Sequence, residues 1–206
     1  MPLSAIQPEQ YEQRLADKVA SFLPKFSAMG APSPDIFSSP RTGFRLRAEF
    51  RMWHDEDDLN YVMFSPADRK TPVVITQFPI ACSAIQALMP TLLAALKIKP
   101  QLRRKLFQTE FLSTLNGETV ITLIYHRALD DDWHTNAQAL AADLNVSIIG
   151  RSRKQKRIIG RDWAQEILKI DGEHYHYRQP EQAFTQPNGI VNQAMISWST
   201  DISKGL

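Results

Sequence analysis

RTGFRLRAEFRMW, running from Arg41 to Trp53, alternates almost without error. Phe44, Leu46, Ala48, Phe50 and Met52 fall on one face, and Arg45, Arg47, Glu49, Arg51 and Trp53 on the other. Alternation over this length marks a half-buried antiparallel strand. Same-face residues on a strand stand ~6.6–7 Å apart. The outer face therefore carries arginines at roughly the spacing of successive phosphates on one nucleic-acid strand. Glu49 lies among them and offers a competing use, a surface ion-pair ladder worth little energetically.

The neighbouring sequence extends this strand into a meander. Asp55 to Asp58 reads as a solvated hairpin tip, Leu59 to Phe64 as the return strand, and Ser65 to Lys70 as a further turn before Val73 to Gln77. Upstream, Tyr11, Leu15, Val19 and Phe22 recur at helical spacing within Glu9 to Phe26, and Pro24 with the loop after it should end that helix. Downstream, Ser83-Ala84-Ile85-Gln86 has the pattern of a capping box. It opens a helix through Leu88, Leu92 and Leu96 that Pro90 should kink or divide, with Pro100 separating it from the next strand. Asn116-Gly117, between Lys105–Leu115 and Glu118–Tyr125, is the strongest hairpin signal in the chain. A helix from Asp131 to Ala142 follows, burying Trp133, Ala137, Leu140 and Ala141. Val146 to Ile149, Arg157 to Asp162 and Glu166 to Ile170 read as strands, and His174 to Tyr177 as extended chain. Val191, Met195, Trp198 and Ile202 mark a last amphipathic helix with Gly205 as its cap. The order predicts an α+β fold: an antiparallel β-sheet with flanking helices.

Composition narrows the function. The chain has 206 residues, enough for one large domain or one domain and part of another. No apolar run approaches the ~20 residues that cross a bilayer, so no membrane partner is expected. The first twenty residues lack the pattern of a secretory signal. The single cysteine, Cys82, excludes an internal disulfide and a cysteine-built metal site, and points to a cytoplasmic location. The net charge of +2 hides a segregated distribution. Arg41–Arg51, Lys97–Lys105 and Arg151–Arg161 hold more than half of the 24 Lys and Arg residues. Such clustering suggests a polyanion partner, although each cluster alone reads more readily as solvated surface.

Within these clusters, Arg45, Arg47 and Arg51 are candidate RNA contacts. So are Arg103, Arg104 and Lys105 with the adjacent Phe107, because an unpaired base needs cations for its backbone and an aromatic face for stacking. Parity sets Phe107 and Phe111 on one strand face, so at least one of the two is expected in the core. His174 and His176 stand two apart on an extended stretch, a spacing compatible with a metal, but no third ligand is nearby and no metal is assigned. Cys82 reads as a buried apolar thiol.

Several longer motifs carry a family resemblance: SSPRTGFRLRAEFRMWHD at 38–55, RRKLFQTEFLSTL at 103–115, YHRALDDDW at 125–133 and AFTQPN at 183–188. Together, and in this order, they resemble the N-terminal portion of a bacterial tRNA (uracil-5-)-methyltransferase. The resemblance implies an S-adenosylmethionine-dependent enzyme that forms ribothymidine in the T-loop of tRNA. It implies a recognition region that grips the T-arm and a Rossmann-like domain that does the chemistry on an extruded base. A cysteine of that domain adds to C6 of the uracil and a carboxylate removes the C5 proton. Transfer-messenger RNA, which carries a similar hairpin, is a second candidate substrate.

On this resemblance, residues 1–180 are expected to be the tRNA-recognition domain, and 181–206 a linker and first helix leading to the methyltransferase domain. The catalytic residues are expected beyond Leu206, since Cys82 does not match the nucleophile motif. The chain alone is then expected to be monomeric and to bind RNA without catalysis. Phe184 and Gln186 match the segment whose glutamine contacts S-adenosylmethionine in the family, which makes Gln186 the cofactor-binding candidate. The alternative is a self-sufficient RNA-binding protein without enzymatic activity, in which the last helix would hide Val191 and Trp198 against the domain.

Overall fold

Leu46, Ala48, Phe50 and Met52 are buried, while Glu49, Arg51 and Trp53 are exposed, so the alternation does place one face in the core. The computed structural model describes residues 7–56 and 58–204; Asp57 of the acidic tip and Gly205 lie outside the described residues. Regular pairing starts later than the alternation, with β1 at Arg47–Asp55. Before it, Arg45 forms isolated bridges to Ala81 and to Asn188.

Six further strands complete the main sheet: β2 (Asp58–Phe64), β3 (Pro72–Val74), β4 (Leu106–Ser113), β5 (Thr119–Tyr125), β6 (Ser147–Ser152) and β7 (Gln155–Ile159). Their order is β3-β2-β1-β4-β5-β6-β7. Every neighbouring pair is antiparallel except β5 and β6. A parallel pair needs a crossover, and the helix α4 (Asp131–Leu144) supplies it. The class is α+β, with one βαβ unit inside a mostly antiparallel sheet.

The helices α2 (Ser83–Ile98), α3 (Pro100–Arg103) and α4 contribute to one core. At its centre the Phe50 ring lies 5.2 Å from both Tyr61 and Phe78 and 6.2 Å from Phe111, tilted or edge-on to each, which suits the aromatic quadrupole. Trp133 is fully buried against Gly150 of β6. A Cβ at Gly150 would meet the Trp133 ring at 2.3 Å. Gly150→Ala should therefore cost about 1–3 kcal/mol through overpacking; a lower midpoint with unchanged slope in urea unfolding is the expected readout.

Several local expectations need correction. The first helix, α1, runs Tyr11–Ser27 and carries Pro24 inside, with no buried residue. Pro90 lies within an undivided α2; it is exposed, so water can reach the carbonyl it leaves unpaired. The capping box does not form. The N-cap is Cys82, and the Gln86 amide turns instead to the Ala81 carbonyl at 2.6 Å. Pro100 starts a short helix, where its missing N–H costs nothing. Strand β3 is shorter than Val73–Gln77. The β4–β5 connection spans 114–118, with Gly117 at φ +85. Cys82 is a buried free thiol.

A second sheet pairs β8 (Trp163–Ile170) with β9 (Glu173–Pro180). Ala164 of β8 packs on Leu112, Val120 and Ile149 of the main sheet. The outward N–H groups of β8 at Gln165 and Lys169 donate to the side chains of Glu118 and Gln193, which protects an otherwise open edge. Helix α5 (Gly189–Ser203) begins at the N-cap Asn188, whose Oδ1 accepts from the Val191 N–H at 3.1 Å. Gly189 fits because a Cβ there would meet Leu46 at 2.7 Å and Leu115 at 2.9 Å.

Candidate nucleic-acid interface

A bulge decides the fate of Phe107. The β4–β5 register runs from Gln108 opposite Ile124 to Leu106 opposite Tyr125, so Phe107 is an extra residue. A bulge re-aims a side chain. Phe111 stays fully buried, whereas Phe107 leaves the core and is only half-buried. Its ring stacks on the His126 imidazole at 4.0 Å and 27°. The Arg51 guanidinium lies 3.7 Å from its centroid. Two groups at stacking distance from one ring occupy its two faces, so the three planar groups form a column. His126 and Arg51, at its ends, are exposed.

The loop before Phe107 brings Arg104 and Lys105 to this column. Both are exposed, and Lys105 takes a left-handed φ of +54 while its carbonyl accepts the His126 N–H. Arg103 sits in the last turn of α3. Arg127 fixes the loop from below. Its guanidinium donates to the carbonyls of Gln101, Arg104 and Ala128 and to the carboxylate of Asp130. Next to His126 opens a shallow cleft of about 700 Å³, lined by Ile124, Arg127, Arg151, Ser152 and Arg153 among others.

Arg45 and Arg47 are not brought to the column. Arg45 Nε donates to the Arg47 carbonyl at 2.8 Å. Arg47 donates to the carbonyls of Ala183 (3.1 Å) and Glu181 (3.0 Å) and faces Glu110 at 3.6 Å and Glu49 at 3.5 Å. Burial, then the charge of Glu49, raises the Glu110 carboxyl. The same turn is clamped from its other side. The Glu181 carboxylate is only 3% exposed and accepts from Arg151 Nε and Nη2, both at 2.6 Å, and from Thr122 Oγ1 at 3.1 Å. Burial opposes this anion, but Arg151, Thr122 and Lys156 together hold its carboxyl below the usual range. Much of the third basic cluster is thus engaged internally, with Lys156 also on Asp162 and Arg157 on Asp131. The acidic residues answer to the same logic: Asp58 pairs with Lys97 and Asp130 caps α4. Among the described residues, no group of three or more His, Cys, Asp or Glu is placed to hold a metal.

Gln186 is exposed on a segment anchored at both sides. Arg47 holds the Ala183 carbonyl, the Leu46 N–H donates to the Pro187 carbonyl at 2.7 Å, and Asn188 donates to Ser39 Oγ at 2.6 Å. Phe184, on the same segment, is 84% exposed. An amide on a fixed segment can both donate and accept, so Gln186 is compatible with a polar, zwitterionic ligand. Sequence reasoning had assigned no role to His126, Arg127 or the Arg151–Glu181 pair.

The fold and the site define a class: an α+β domain presenting a column of stacked planar side chains beside a basic loop. Residues 10–206 match the family model described as tRNA (Uracil-5-)-methyltransferase, and the chain belongs to that family. A tRNA/tmRNA (uracil-C(5))-methyltransferase of Aromatoleum aromaticum is 50% identical over 206 residues, covering 100% of this chain and 56% of that protein. The enzyme of the same description from Pseudomonas fluorescens strain SBW25 is 51% identical over 192 residues, covering 93% and 54%. The chain thus spans about half the length of the curated relatives it matches. The crystal structure of Pyrococcus abyssi tRNA (uracil-54, C5)-methyltransferase in complex with S-adenosyl-L-homocysteine has a similar fold, with TM-score 0.62 at 15% identity, covering 93% of this chain and 48% of that one. Among the described residues no helix is long and apolar enough to cross a membrane.

Proposed function

We propose that this chain is the RNA-recognition portion of a cytoplasmic, S-adenosylmethionine-dependent tRNA (uracil-5-)-methyltransferase that forms ribothymidine in the T-loop, and that alone it binds RNA as a monomer without methylating it. Residues 1–180 recognise the T-arm, of tRNA or of transfer-messenger RNA, and 181–206 lead toward the catalytic domain. The observation that carries this reading is the Arg51–Phe107–His126 column. Three planar groups already stacked offer the exposed end of the column to a fourth, and the natural fourth group is an unpaired base. Arg104 and Lys105 stand beside it to meet the phosphates. Catalysis needs a reachable nucleophile, and Cys82 is buried.

The cofactor, when bound, supplies the methyl group. Gln186 is the residue of this chain that would hold it, through its side-chain amide, and the anchored backbone on both sides keeps that amide in place. Val191 of α5 is half-buried, whereas Met195, Trp198 and Ile202 are 46%, 42% and 52% exposed. An apolar row open to solvent supports a role beside a further domain over a self-sufficient binding protein.

Phe107→Ala is expected to weaken binding of a T-arm RNA hairpin about 5- to 100-fold, the equivalent of one lost stacking contact, with the far-ultraviolet circular dichroism unchanged. Fluorescence anisotropy with a labelled hairpin at low salt measures it. A wild-type chain that fails to bind the hairpin, or that methylates tRNA unaided, would overturn the proposal.

A further inference from the structure

The β8–β9 hairpin has two unlike faces. Ala164, Glu166, Leu168 and Ile170 are buried toward the main sheet and α5. The alternate residues point the other way, and the register sets Lys169 opposite His174, Ile167 opposite His176 and Gln165 opposite Arg178. Trp163 shares this outer face. The guanidiniums of Arg161 and Arg178 lie over its ring, 4.3 and 4.5 Å from the centroid. Lys169, His174, His176 and Arg178 are all exposed.

The acids of the hairpin are placed elsewhere. Glu166 is buried, and Glu173 pairs with Ile170 on the opposite face. Asp171 accepts from Ser197 at 2.5 Å, and Asp162 pairs with Lys156. Glu118 reaches this face, where it meets Arg161. Of the cross-strand pairs on this face only Lys169 and His174 set two basic residues directly opposite one another, an arrangement that does not stabilise a hairpin. Stacking on Trp163 also holds two guanidiniums in place before any ligand arrives. From His174 to Arg178 the row runs ~14 Å, two same-face steps of ~6.6–7 Å each.

We infer that the outer face of the β8–β9 hairpin is a second contact for the RNA, gripping phosphates of a segment beyond the loop read at Phe107. The inference rests on the reading of the chain as an RNA-binding portion. Distance separates the two contacts: Glu118, the partner of Arg161, lies eight residues along β5 from His126, ~27 Å in extended chain. A T-arm stem of about five base pairs covers less than ~17 Å, even at the longer rise of B-form helices. The arm also includes its loop, so the second site is placed at the far end of that stem or beyond it. Its permanently charged groups, Lys169 and Arg178, suit phosphates more than base edges, so it positions the RNA without selecting sequence.

The test compares two RNAs, an isolated T-arm hairpin and a full-length tRNA transcript, on the wild-type chain and on the double variant Lys169→Gln/Arg178→Gln. Both positions are exposed, so the variant should fold; its melting curve is the control. The hairpin is expected to bind both proteins within about two-fold. Full-length tRNA should bind the variant about ten-fold more weakly at physiological salt, with a salt dependence shallower by about two phosphate contacts. Unchanged tRNA affinity and salt slope would overturn the second contact while leaving the RNA-binding reading intact. An equal loss on both RNAs would overturn its separateness. Failure of the wild-type chain to bind either RNA would overturn the underlying reading and this inference together.

Discussion

Glu181→Ala should lower the unfolding free energy by about 3–5 kcal/mol, the usual cost of removing one partner from a buried ion pair. The carboxylate is nearly solvent-free and carries the two 2.6 Å bonds from Arg151 and the bond from Thr122. Alanine leaves a guanidinium and a hydroxyl facing an apolar methyl. The loss should concentrate where the turn after β9 meets the main sheet, because residue 181 is the junction. Its side chain holds Arg151 of β6 and its carbonyl holds Arg47 of β1. Urea unfolding measures the total, and amide exchange in β8 and β9 locates it.

Acid should narrow the difference. The Glu181 carboxyl is held below its unfolded value. Its stabilisation is therefore fully present above about pH 4.3 and is lost as pH falls through the lower folded value. Glu166 behaves oppositely. Burial raises its carboxyl despite bonds from Leu115, Ile167 and Gln179, so its ionised form costs stability, and that cost disappears as pH falls. The gap between wild type and Glu181→Ala should narrow as pH falls below about 4, and the variant should retain the Glu166 slope. A gap that stays constant from neutral pH to pH 3 would show that Glu181 acts by packing alone.

The inner face of β1 was legible because period-two burial is a local rule, and Leu46 to Met52 obey it. The α4 stripe was legible for the same reason at helical period, and Asp130 behaves as its position before the helix suggests. Arg47 was not legible as a clamp: its acceptors lie more than 130 residues away in sequence, and nothing near Arg47 announces them. Phe107 fell between the two cases. Strict parity ties it to Phe111, and only the bulge separates them. Yet the hairpin signal contained its partner. Counting outward from Asn116-Gly117 as a two-residue turn sets Phe107 opposite His126, and the real pairing, one residue different with a bulge, still stacks them. Pro90 and Pro24 misled because a proline breaks a helix only where the carbonyl it strands has no other partner, and exposure supplies water.

Arg127 joins the stability of this domain to its binding surface, and its substitution should show both effects. The side chain is 7% exposed. It ties the carbonyls of Gln101 and Arg104, at the end of α3, to Ala128 and Asp130 at the start of α4. A cation at a helix C-terminus is favourable, and a planar fork meets several acceptors at once. Arg127→Lys keeps the charge but offers a single ammonium where Nε, Nη1 and Nη2 each donate, so charge alone should not rescue the site. Arg127→Ala is expected to cost about 2–4 kcal/mol, since it removes a largely buried guanidinium together with its charge-assisted bonds. That corresponds to a fall of roughly 4–16 °C in melting temperature for a domain of this size. Arg127→Lys should recover less than half. Because the released loop carries Arg104 and Lys105 and leads into Phe107 of β4, both variants should bind the RNA hairpin more weakly even at temperatures where they remain folded. The decisive comparison sets Arg127→Lys against Gly150→Ala at matched stability. Gly150 lies in the core beneath Trp133, so its variant should lose stability and keep RNA affinity, whereas Arg127→Lys should lose both. Equal RNA affinity in the two would show that Arg127 supports the fold and leaves the column unaffected.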